Sequence, residues 1–130
     1  MSLKTLMIIK AVVCLTLGAI LLLVPNFLYS FFGTTLNDAG VFAAREYGAA
    51  LIGTLFLTWY ARNAAESQAR RAIILDLCIY DAIGVVITII ATLSGVLNWL
   101  GWAVVVLYLF FAVGYGYFWF QKPAAQPGQV

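Results

Sequence analysis

Five ionisable side chains lie within long apolar stretches of this chain: Lys10, Arg45, Glu46, Asp76 and Asp81. Charged groups at membrane depth are costly, and they usually face a protein interior, a water-filled space or one another. Three kinds of chemistry suit such residues: a carboxylate that carries a proton, a lysine–carboxylate pair, or an arginine fork that holds an anion. The chain has no histidine, which removes the commonest metal ligand and the usual general base near neutral pH. Cys14 and Cys78 each sit in an apolar stretch and are far apart in sequence. A dithiol relay needs paired, accessible thiols, so these two read as small apolar filler. No catalytic constellation and no metal set emerges, and no cofactor is specified.

Spacing sorts the five groups into layers. At 1.5 Å per residue along a helix, Asp76 lies about 8 Å and Asp81 about 15 Å beyond the basic Arg71. Lys10 is expected about one turn into the first span, level with Asp76, where it either forms a structural ion pair with Asp76 or snorkels to the headgroups. Asp81 is near the middle. With Gly84, Thr88 and Thr92 it forms a small, polar stripe at helical spacing. That stripe is either a packing seam or a ligand-facing wall. Arg45 and Glu46 stand near the opposite end, about 25 Å from Arg62 along the helix. Arg45 either anchors the neighbouring loop or holds an anionic group in a pocket floored by Gly48 and Ala49.

The elements that must position these residues are four apolar runs, about 6–24, 41–60, 72–93 and 97–120. About 20 mostly apolar residues in a helix cross a bilayer, and each run has that length. Hydrophobic residues make up 65% of the chain and charged ones 9%, against about 25% charged in a soluble domain. The expected fold is an all-α, polytopic transmembrane four-helix bundle spanning 1–121, with a short polar tail over 122–130. The apolar N-terminal run lacks a small-x-small cleavage site and reads as a retained first span.

The net charge is +2, and its placement carries the information. Lys4, Lys10, Arg62, Arg70, Arg71 and Lys122 fall toward one side, whereas the stretches 25–40 and 94–98 have no Lys or Arg. By the positive-inside rule this places both termini in the cytoplasm of a multi-pass cell-membrane protein, and it argues against nucleic acid as a partner. Pro25 ends the first span. The aromatic run from Phe27 to Gly33 is expected along the outer interface, as a plain interfacial loop or as a lid over an outward-facing cavity, with Thr34, Thr35, Asn37 and Asp38 offering caps for the next helix. Ala44 to Gly48 and Ala49 to Gly53 are small-x-x-x-small pairs that let backbones approach.

The run Ala44-Arg45-Glu46-Tyr47-Gly48-Ala49-Ala50-Leu51-Ile52-Gly53, after a first span closed by Pro25 and Phe31-Phe32-Gly33 and before Arg70-Arg71, resembles small bacterial four-helix membrane proteins of the DoxX-like group. The resemblance implies the four-helix fold over about residues 1–120 and marks Arg45 with Gly48 as its signature. It implies no particular chemistry.

Three functions compete. The favoured one is non-enzymatic: a protein that binds a lipid or quinone-like molecule, or an accessory subunit or homo-oligomer in a membrane complex. Its candidate ligand-binding residues are Arg45, Glu46, Gly48, Asp81 and Thr88. The alternative is a small proton-coupled transporter or channel using Asp81. An intramembrane isomerase is third, because an acid/base pair is hard to assemble without histidine.

Overall fold

The computed structural model describes residues 1–121. The polar tail expected over 122–130 lies outside the described residues. Five helices follow one another: α1 (Leu3–Leu23), α2 (Pro25–Phe31), α3 (Asp38–Ala61), α4 (Gln68–Leu93) and α5 (Gly101–Phe120). All but α2 are long and apolar enough to cross a membrane, as expected of a membrane protein. No strand occurs among the described residues.

Local chemistry sets the boundaries. Ser2, Asn37 and Ser67 cap α1, α3 and α4, their side chains accepting from the amides of Thr5, Gly40 and Arg70. Each cap satisfies one of the orphan donors of a first turn. The residue before a proline is forced away from helical angles, so Val24 (φ −139°, ψ 63°) breaks the chain between α1 and α2. Pro25 then starts α2, where its missing N–H costs nothing. The apolar run expected from residue 97 begins its helix only at Gly101, because 94–100 form a turn with Gly95 at φ +83°. A positive φ is cheap only without a Cβ.

The helices associate as two pairs, α1 with α3 and α4 with α5, and α1 also touches α5. Small residues allow the first pairing. A Cβ on Gly48 would lie 2.8 Å from the Leu22 amide nitrogen and 2.9 Å from the Gly18 carbonyl oxygen. The Ala44–Gly48 pair is thus an internal seam. Gly53 has nothing within 4 Å of its would-be Cβ, so the Ala49–Gly53 pair faces outward.

One half of the molecule is solid. Leu3, Leu6, Met7, Ala61, Ile74, Leu77, Phe111 and Tyr115, from all four long helices, pack there into one buried cluster. The same end holds the basic residues. Arg62 lies over the Trp59 ring, Arg71 over Trp119, and Arg70 pairs with Glu66 at 2.7 Å. Large apolar side chains such as Ile79, Val86, Ile90, Val106 and Val113 point outward. A continuous apolar exterior of this kind suits lipid and is unfavourable in water.

Candidate functional site

The other half is hollow. A cavity of about 610 Å³ lies between the helix pairs, within the roughly 300–1,000 Å³ range of ligand sites. Leu17, Leu21, Leu51 and Leu107 form apolar walls, and Tyr29, Phe32 and Leu36 lie where α2 and its following loop cover it. Asn98 fastens this cover, its amide N–H donating to the Phe32 carbonyl and its Nδ2 to the Phe31 carbonyl, each at 3.0 Å. Burial pushes the Tyr29 phenol up, with Tyr108 adding to it, so it lines the cavity as a neutral hydroxyl.

Polar groups converge on the inner end. Lys10 donates to Asp81 at 2.5 Å, and both are buried, at 3% and 0% exposure. The Lys10 ammonium also lies 4.4 Å from the centre of the Phe111 ring and 5.0 Å from that of Tyr80. Aromatic faces attract a cation, so the ammonium is enclosed on several sides. Asp81 Oδ2 has no hydrogen-bond partner among the described residues. Beside this pair, the Tyr47 hydroxyl meets those of Tyr80, at 2.6 Å, and Tyr108. Tyr47 belongs to one helix pair, Tyr80 and Tyr108 to the other. Like the ion pair, the hydroxyl trio crosses between them.

Each residue singled out in the sequence can now be placed. Asp81, Gly84 and Thr88 all line the cavity. They share the buried face of α4 with Ile74 and Leu77, while Thr92 is only half-buried and bonds back to the Thr88 carbonyl. Lys10 pairs with Asp81 and not with Asp76, which corrects the expected partner. Asp76 is exposed, because five residues along a helix turn it well away from the Asp81 face. Equal depth misled because the two helices do not start level: Leu3, the first residue of α1, packs with Ile74, six residues into α4. Leu3 and Ile74 share the buried cluster, and two turns further along each helix bring Lys10 level with Asp81.

Arg45 and Glu46 are a second correction. Both are exposed, neither lines the cavity, and neither forms an ion pair among the described residues. They fall between Ala44 and Gly48, which share the buried face of α3, so they point outward by helical geometry. Gly48 is the contact point of α1 and α3 and not a pocket floor. The residues missed in the sequence are Tyr47, Tyr80 and Tyr108. Their signal was position, since membrane aromatics with hydroxyls favour the interfaces and these three lie well inside their helices.

The family model described as Domain of unknown function (DUF8292) matches residues 2–127. The chain belongs to that family. The match covers both helix pairs and every residue of the cavity, so the site is built wholly within the DUF8292 region. No curated protein and no solved structure matches the chain.

Proposed function

We propose that this protein is a non-enzymatic, multi-pass four-helix bundle of the cell membrane, with cytoplasmic termini, that holds a lipid-like or quinone-like molecule in its cavity. The observation that carries this reading is the 610 Å³ space between the helix pairs, apolar along its walls and polar at its inner end. Apolar walls with a few convergent polar groups are the usual make-up of a small-molecule site. The basic end with Arg62, Arg70 and Arg71 supports the orientation through the positive-inside rule. Kinship with the DoxX-like group belongs to the same proposal and rests on the Arg45-x-x-Gly48 signature and the order of the spans.

The test is extraction in mild detergent followed by mass spectrometry of what remains bound. One defined apolar species should be retained by the native protein and lost from Leu51→Trp, which fills the cavity. Retention of bulk lipids alone, in the same amounts by both proteins, would contradict the proposal.

The buried carboxylate favours one competing reading, a small proton-coupled transporter or channel working through Asp81. Its cycle would have to separate Asp81 from Lys10 at each turnover. Proteoliposome flux that Asp81→Asn abolishes would favour transport over simple binding.

A further inference from the structure

Donor and acceptor accounting at the inner end of the cavity specifies the ligand's polar group. The three hydroxyls of Tyr47, Tyr80 and Tyr108 carry three protons, and the two bonds among them use two. One proton is therefore left to donate, and no other hydrogen bond of these hydroxyls exists among the described residues. Asp81 Oδ2, fully buried, is an acceptor without a donor; the Tyr115 hydroxyl is also buried and unpaired, but it does not line the cavity. All four residues line the same cavity. Buried polar groups are overwhelmingly hydrogen-bonded, so a surplus donor and an orphan acceptor lining one cavity call for a group that both accepts and donates.

Charge narrows the choice. Among the described residues the only cation lining the cavity is Lys10, and Asp81 already neutralises it while the Phe111 and Tyr80 rings cover its other sides. An anionic headgroup would find no free cation there, and Arg45 lies elsewhere on the surface.

Resting on the binding reading above, we infer that the ligand is an uncharged apolar molecule ending in a hydroxyl, such as an alkylphenol, a quinol or a long isoprenoid alcohol. Its oxygen accepts the surplus tyrosine proton, and its own proton goes to Asp81 Oδ2. A phosphate- or carboxylate-headed lipid, or a body with no donor, fits less well.

The test is native mass spectrometry of the full chain released from nanodiscs and titrated with four probes. These are a long-chain alkylphenol, its methyl ether, an alkanol and an alkyl phosphate of matched length. The phenol or the alkanol should bind about tenfold or more tighter than the ether, which leaves Asp81 Oδ2 unpaired. Preference for phenol over alkanol would identify a phenolic source, and equal binding of both a general alcohol site. Equal binding of ether and alcohols, or preference for the phosphate, overturns the inference and leaves the cavity reading standing. If no probe binds, the cavity reading itself fails and takes the inference with it. A Tyr47→Phe/Tyr80→Phe/Tyr108→Phe variant should lose about tenfold in alcohol affinity. The probe series on the native chain decides the matter even if that variant does not fold.

Discussion

Lys10 on α1 and Asp81 on α4 form a buried ion pair between helices that share no extended backbone seam. The pair is a strut across the inner end of a cavity. A buried ion pair gains little over a well-packed apolar substitute, but breaking it leaves an uncompensated charge. Lys10→Met should therefore destabilise the protein by about 3–5 kcal/mol, and Lys10→Met/Asp81→Leu should recover most of that loss. Thermal unfolding in detergent checks both, and equal losses in the single and double variants would show that the pair is not the strut.

The Tyr47 hydroxyl is the shared partner of Tyr80 and Tyr108. Tyr47→Phe removes both bonds and strands two half-buried hydroxyls, at a cost of about 1 kcal/mol or more. Tyr108→Phe leaves the Tyr47–Tyr80 bond in place and should cost less. The ranking of the two melting temperatures is the readout.

Glycines on the two sides of α3 should respond oppositely. Gly48→Ala places a methyl against the Leu22 and Gly18 backbone, and separating α1 from α3 should cost about 1–3 kcal/mol. Gly53→Ala meets nothing within 4 Å and should be neutral, or stabilising by up to about 1 kcal/mol through helix propensity. Denaturation of both variants in the same detergent makes the comparison.

Arg45 lies outside the cavity, exposed and unpaired among the described residues. Arg45→Ala should change stability by no more than about 0.5 kcal/mol and leave the retained molecule unaltered. Loss of that molecule in the variant's mass spectrum would return Arg45 to the site.

The four membrane-length helices were legible because apolar runs of that length have few other uses, and Asn37 was among the expected caps of α3. The Asp81, Gly84 and Thr88 stripe was legible from helical spacing, which places side chains on a common face before any neighbour is known. The partner of Lys10 was not legible. It depends on how far α1 and α4 slide past each other, and that offset is fixed by packing around Leu3 and Ile74. Arg45 misled because a rare charge in an apolar run draws notice whichever way it faces. The tyrosine trio was hidden for the opposite reason, since Tyr47, Tyr80 and Tyr108 are far apart in sequence and meet only when the two helix pairs do.

The most direct measurement is photo-crosslinking in nanodiscs with a diazirine-bearing long-chain alcohol, followed by peptide mapping. The cavity account predicts labels at Cys14, Leu51 and Tyr108 that unlabelled alcohol competes away and that Leu51→Trp suppresses. Labels confined to outward-facing Ile79, Val86, Val106 and Val113, and insensitive to competitor, would contradict it.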